Sequence, residues 1–140
     1  LPASLAGLPV LPDVRRDAGP LAGLCSLLGY AGQRWALLLA CDMPLISTTL
    51  LERLHAAIDS DCDAVAYRRS DGSSGWHACC ALYHPRLLPV AARELEQGSR
   101  SLQRLLGAAQ LVTLDPSPAD RRALINVNDR EDYEALLQSE

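Results

Sequence analysis

One carboxylate stands at the point where a strongly apolar segment ends. Residues 35–41 are apolar without interruption, Asp42 follows them directly, and Pro44 prevents a strand from continuing. A segment that is apolar on both faces is typical of a buried parallel strand, and a carboxylate at its end costs free energy unless it is paired or binds a cation. Such an oxygen ligand suits Mg²⁺, which takes one or two carboxylates together with substrate phosphates. Asp42 is therefore a candidate magnesium ligand; the alternative is that it caps the following loop or helix.

A second candidate site is the segment GPLAGL at residues 19–24. Pro20 suits the first position of a helix, because a proline there loses no hydrogen bond. The first N–H groups of a helix are free and favour anionic groups, and Gly19 lets a ligand approach the backbone closely. The segment predicts a site for a phosphate-bearing ligand. The alternative is that Gly19 forms a simple turn and Gly23 is a packing position.

Other polar residues have weaker cases. His77 follows Trp76 at the start of a predicted strand and is a candidate for lining a crevice. Arg15 and Arg16 lie in a polar loop, where they are either solvated or contacts to a triphosphate. The sequence contains no G-x-S-x-G motif, so it gives no support to a serine hydrolase.

The candidate residues lie on or between predicted strands and helices that alternate along the chain. Apolar runs bounded by turn residues predict strands, and apolar positions at helical spacing predict helices. The strands are predicted at residues 8–11, 35–41, 63–67, 77–83 and 110–114, and the helices at 20–30, 48–58, 85–97, 101–108 and from Asn128 onward. Such alternation is typical of α/β proteins with a mostly parallel sheet. Residues 69–75 form a hairpin-like connection that favours an antiparallel strand 77–83, and Asn128 with Glu131 predicts a capping box for the last helix.

The charge balance limits the partners of this protein. The 140 residues carry 13 basic and 17 acidic side chains, and Lys is absent, so every basic side chain is Arg. With a formal net charge of −4, we expect no nucleic-acid partner and no membrane partner, because both require a basic surface. Any cationic group of this chain that takes part in catalysis must be an arginine.

Length and cysteine content predict one domain in a reducing compartment. A chain of this length usually forms a single domain, so we predict one domain over residues 1–140. The five cysteines are an odd number without C-x-x-C spacing, which favours reduced thiols and a cytoplasmic location over a disulfide framework or a zinc site.

Four motifs become informative when they are taken together. GPLAGL at residues 19–24, CDMP at 41–44, GSRSL at 98–102 and NVNDREDY at 126–133 occur in this order. The chain resembles the MobA-like nucleotidyltransferases, and most closely their guanylyltransferase branch, over nearly its whole length. The resemblance implies a Rossmann-like three-layer sandwich. It also implies Mg²⁺-dependent transfer of GMP from GTP to molybdopterin or the molybdenum cofactor, with release of pyrophosphate.

The resemblance assigns roles to individual residues. It implies that Asp42 is the catalytic, magnesium-binding and nucleotide-binding aspartate. The further residues that it implies contact the nucleotide are Asp13, Gly19, Pro20, Leu21 and Gly23, and those that it places on the acceptor side are His77, Asn126 and Asn128. It further implies transient contact with other proteins of molybdenum cofactor biosynthesis.

The chain departs from the family at its beginning. The family opens with a strand and a glycine-rich phosphate loop of the type L-A-G-G-x-S-x-R-M-G-x-D-K, and no such segment occurs here. We therefore expect a truncated domain whose N-terminal strands are missing. Two other functions stay open: a cytidylyltransferase or another small nucleotidyltransferase, and a non-catalytic nucleotidyltransferase-like domain that binds a partner protein or a pterin.

Overall fold

The computed structural model describes residues 7–138, so the predicted domain ends at residues 1 and 140 lie outside the described part. Six α-helices and four strands follow one another in that part, together with a short 3₁₀ turn at Pro85–Leu87. The helices are α1 Pro20–Ala31, α2 Thr48–Ala56, α3 Leu88–Glu96, α4 Leu102–Ala108, α5 Pro118–Ala123 and α6 Arg130–Gln138. The strands are β1 Ala36–Leu39, β2 Ala64–Arg68, β3 Trp76–Tyr83 and β4 Leu111–Leu114.

The four strands form one mixed sheet in the order β1-β3-β2-β4. Strand β3 is antiparallel to both of its neighbours, and β2 pairs with β4 in parallel. It follows that β1, β2 and β4 run in one direction and only β3 runs against them. The connection between β2 and β3 is too short for the crossover that parallel neighbours need, which explains the reversed strand. The predicted α/β class is confirmed, with a sheet that is mixed rather than purely parallel.

The apolar core lies on both faces of this sheet, as a three-layer arrangement requires. Successive side chains of a strand point to opposite faces, and β2 shows this directly. Ala64 and Ala66 pack with α1, α3 and α4, whereas Val65 and Tyr67 pack with α2 and the segment after α5. The sheet thus separates two helical layers, and its strand ends provide the surface on which a site can form.

Some predicted elements differ from the structure. Residues 8–11 form no strand, and the helix α5 lies between residues 114 and 128, where no strand or helix was predicted. At the start of α6 the predicted capping box of Asn128 and Glu131 is wrong. The Oδ1 atom of Asp129 accepts from the Asp132 N–H at 2.9 Å, and the Asp132 carboxylate accepts from the Asn128 N–H at 2.9 Å.

Across residues 7–138, no helix is both long enough and apolar enough to cross a bilayer.

Candidate functional site

Asp42 lies just beyond β1 and is joined to the segment that follows α5. Its Oδ2 atom accepts a hydrogen bond from the side-chain amide of Asn126 at 2.9 Å, and its backbone carbonyl accepts from the Val127 N–H at 2.8 Å. The CDMP and NVN motifs, 84 residues apart at this contact, therefore meet at one place. Asn126 fixes one carboxylate oxygen and so determines where the other one lies.

The second oxygen of this carboxylate has no partner. Asp42 Oδ1 is buried and accepts no hydrogen bond from the described residues. A buried, unpartnered carboxylate oxygen costs free energy, which a bound cation would recover. The neighbouring Cys79 thiol has a raised pKa, chiefly because it is buried and also because the Asp42 charge is near, so a competing thiolate is disfavoured there.

The donor set around Asp42 fits Mg²⁺ shared with a substrate better than a metal held by protein alone. Among residues 7–138, no group of three or more His, Cys, Asp or Glu side chains could enclose a metal ion. Mg²⁺ commonly uses only one or two carboxylates and completes its shell with water and substrate phosphates. The single free oxygen of Asp42 meets that requirement.

A cleft of about 350 Å³ is lined by Asn126, which bonds the Asp42 carboxylate, and by Met43, the next residue along the chain. It forms where β3 leaves β2: the pairing changes from Ala66–Ala81 to Arg68–Trp76, with one residue of β2 and four of β3 in between. Residues 77–80 thereby leave the register with β2, and a space opens at this end of the sheet. The cleft is lined by Met43, Arg69, Ser70, Asp71, Trp76, His77, Ala78, Cys79, Gln103, Arg121, Leu124, Ile125 and Asn126.

The charges in the cleft suit a ligand with anionic groups. Arg69 forms an ion pair with Asp71, and hydrogen bonds from Arg69 and Ser73 hold the pKa of the Asp71 carboxyl far below its usual range. Arg121 also lines the cleft and donates to the Pro116 carbonyl at 3.2 Å. Burial, followed by the Arg69 charge, lowers the pKa of His77. This imidazole is therefore neutral near pH 7 and can both donate and accept a hydrogen bond.

Helix α5 places the segment that carries Asn126. Its N-terminus is closed by a capping box in which the Ser117 hydroxyl accepts from the Asp120 N–H and the Asp120 carboxylate accepts from the Ser117 N–H. Asp120 is also paired with Arg53 of α2. Burial alone would raise the pKa of Asp120, but its bonds with Ser117 and Arg53 outweigh burial and lower it. The carboxylate thus ties α5 to α2 as an anion.

The predicted nucleotide residues gather around the start of α1. Gly19 is the N-cap at φ 68° and has no side chain that could accept from the first N–H groups. The Asp13 carboxylate lies over Gly23, at 3.4 Å from the position that a Cβ would take. Ser26 secures this loop, because its hydroxyl accepts from the Val14 N–H at 3.0 Å and donates to the Pro12 carbonyl at 2.8 Å.

The structure brings the predicted residues into two groups. Asp42, Asn126 and His77 are at the cleft or beside it, whereas Asp13 and the glycines are held by the contacts of α1. Leu21 is fully buried in the core, so neither its side chain nor its backbone is exposed at this helix start. Asn128 is exposed, and its N–H is used at the start of α6.

Sequence reasoning missed several residues that build the site. Arg69, Asp71, Arg121 and Gln103 line the cleft, and no motif marks them, because they come together only through the register change in the sheet. Ser117 and Asp120 could have been found, since serine followed three residues later by an acidic residue indicates a helix start.

Comparison with known proteins decides the family. The sequence profile described as the MobA-like NTP transferase domain matches residues 2–136. The chain belongs to the MobA-like NTP transferase family. A molybdenum cofactor guanylyltransferase of Serratia proteamaculans is 35% identical over 91% of this chain and 62% of its own length. One of Pseudomonas entomophila is 37% identical over 81% of this chain and 58% of its own.

Solved structures show the same fold. Molybdopterin-guanine dinucleotide biosynthesis protein A of Archaeoglobus fulgidus superposes with a TM-score of 0.67 at 20% identity, covering 86% of this chain and 62% of that one. The MobA-like fold is therefore shared at low identity. The chain spans about three fifths of the length of these relatives.

Proposed function

We propose that this chain is part of a nucleotidyltransferase that moves GMP from GTP to molybdopterin or the molybdenum cofactor and releases pyrophosphate. The observation that carries the proposal is the buried, unpartnered Asp42 Oδ1, on a carboxylate bonded to Asn126 in the lining of a cleft that two arginines also line. The names of the two guanylyltransferase relatives support the choice of substrates.

Asp42 would hold Mg²⁺ through its free oxygen, with Asn126 keeping the carboxylate in place. Bound there, the ion would offset negative charge on the nucleotide phosphates and the leaving pyrophosphate. In the transfer itself, an oxygen of the acceptor's terminal phosphate forms a bond to the α-phosphorus of GTP while the bond to the bridging α–β oxygen breaks. Such a reaction depends mainly on positioning and charge neutralisation, and both are properties of this site.

The two substrates would occupy the two groups of residues. The nucleotide would lie at the start of α1, against Gly19, Pro20 and Gly23, with Asp13 above Gly23 and with Leu21 buried beneath. The acceptor would enter the cleft, which His77, Asn126 and the two arginines line, and the exposed Asn128 follows Asn126 two residues later. Asp42 would contact the phosphates of the substrates through the ion.

A transfer assay on the complete protein tests this proposal. Radiolabelled GTP or CTP is supplied with Mg²⁺ and molybdopterin, and both the labelled pterin dinucleotide and pyrophosphate are measured. We expect transfer from GTP to exceed transfer from CTP by at least about tenfold, because a site that hydrogen-bonds one base leaves polar groups unpaired with another, which costs up to about 10⁴–10⁵-fold. Preference for CTP would indicate the cytidylyltransferase, and binding without transfer from either nucleotide would indicate the non-catalytic domain.

A further inference from the structure

Helix α4 holds the first residue of β3 through a single amide. The Oε1 atom of Gln103 accepts from the Trp76 N–H at 3.0 Å, and its Nε2 atom donates to the Trp76 carbonyl at 2.6 Å. One side chain thus satisfies both backbone groups of one strand residue, in the way that a neighbouring strand would. Gln103 is half-buried on a helix whose Leu102, Leu105 and Leu106 enter the core, so its amide requires these bonds.

The chain before Trp76 leaves room for this contact. Gly75 has φ of +108°, a conformation that favours glycine. A Cβ built at Gly75 would collide with the Gln103 amide oxygen. The glycine and the glutamine therefore form a matched pair, and the close approach of α4 to β3 depends on both.

The contact lies in the wall of the cleft. The cleft is lined by Gln103, Trp76 and His77. His77 directly follows Trp76, whose backbone Gln103 holds. The Trp76 indole is fixed at its other end, because Nε1 donates to the Thr113 hydroxyl of β4 at 3.1 Å. Trp76 is paired with Arg68 of β2, but His77 belongs to the residues 77–80 that have left the register with β2, so β2 gives His77 little support.

We infer that Gln103 is a positioning residue: it fixes the Trp76–His77 wall and thereby sets the affinity for the pterin-phosphate acceptor. The inference rests on the proposed function for the identity of the acceptor, but the contact is independent of it. Gln103 forms these hydrogen bonds with Trp76 in the lining of the acceptor cleft and not with α1. A change at Gln103 should therefore weaken acceptor binding and leave nucleotide binding unaltered.

The test uses two variants of the complete protein and one matched control. Gln103→Glu keeps the size but replaces the donor with an acceptor that repels the Trp76 carbonyl, and Gln103→Ala removes both bonds. Gln110→Ala removes an exposed glutamine at the start of β4 and serves as the control. All are made with Trp35→Phe, so that Trp76 is the only indole of these 140 residues, and each is measured for the KM of both substrates and for Trp76 fluorescence.

Both Gln103 variants should raise the KM for molybdopterin by about tenfold or more, the scale for a misplaced site wall, with the KM for GTP within about twofold. Their Trp76 emission should shift to longer wavelength, and the control should match the parent. Equal rises in both KM values, or none, would overturn the inference. If the parent protein transfers no GMP, the proposed function is wrong, and only the fluorescence tests the role of Gln103. A shift of the Trp76 emission in the Gln103 variants then supports the conclusion that Gln103 positions Trp76, and unchanged emission refutes it.

Discussion

The two oxygens of Asp42 are in different situations, and this difference gives the residue its candidate role. Oδ2 is held by the Asn126 amide, whereas Oδ1 is buried without a partner. The position of Asp42 after an apolar run made it a candidate cation ligand from the sequence alone, with a capping role as the alternative. Its partnership with Asn126 could not be derived that way, because nothing in the local sequence links residues 84 positions apart; only the resemblance to a family suggested a role for Asn126.

His77 should make the stability of the protein depend on pH. Burial and Arg69 lower its pKa below the usual 6.5, while Asp71 partly opposes them. As the pH falls below about 6.5, the unfolded chain takes up a proton before the folded one does, so stability that is fully present above this pH is lost. His84, whose pKa is also lowered, contributes in the same direction.

Urea unfolding of the wild type and of His77→Gln at pH 7.5 and pH 5.5 measures the share of His77. The wild type should lose more free energy of unfolding between the two pH values than the variant does, because the glutamine cannot take up a proton. An equal loss in both proteins would show that His77 is not held neutral by its surroundings.

At the scale of elements, the site depends on how α5 and α2 are fastened together. Arg53 of α2 pairs with the buried Asp120 of α5, and its guanidinium lies 5.8 Å from the centre of the Tyr67 ring. The segment that carries Asn126 continues directly from α5. No helix was predicted from the sequence here, although a proline in the first turn of a helix is favourable and the Ser117–Asp120 capping box stabilises the start of α5.

Arg53→Ala should lower the free energy of unfolding by about 1–2 kcal/mol. Loss of one partner of a fully buried ion pair costs about 3–5 kcal/mol and loss of an exposed pair about 0–1 kcal/mol; the Arg53 side chain is 42% exposed and Asp120 only 7%, so we expect a value in between. Arg93→Ala, which removes an exposed arginine of α3, is the matched control. Urea denaturation that gives the same small loss for both variants would rule out a role for the Arg53–Asp120 pair.

For the whole molecule, the pattern of elements was more predictable than their pairing. The apolar runs of β1, β2, β3 and β4 indicated an α/β protein, and the short link between β2 and β3 indicated the reversed strand. No feature of the sequence predicted the register change between Ala66 and Arg68. The change depends on how β3 pairs with β1 on one side and with β2 on the other, and these are contacts between distant parts of the chain. That change opens the cleft, and so the arginines and Gln103 that line it could not be foreseen.

The fold brings an early strand end and a late loop together at one carboxylate, next to residues that line the cleft, and we propose that this carboxylate binds a divalent ion with the nucleotide. Electron paramagnetic resonance of Mn²⁺, used in place of Mg²⁺ in the presence of GTP, tests it directly on the complete protein. Asp42→Asn removes the charge but keeps an oxygen for the Asn126 bond, and Asp61→Asn changes an exposed aspartate and is the control.

We predict that Asp42→Asn weakens Mn²⁺ binding in the presence of GTP by about 100-fold, at least the loss seen when residues that merely support a metal ligand are removed. The stability to urea should not fall in this variant, because a buried, unpartnered charge has been removed, and Asp61→Asn should bind Mn²⁺ as the wild type does. Unchanged Mn²⁺ affinity in a folded Asp42→Asn protein would show that Asp42 is not a metal ligand.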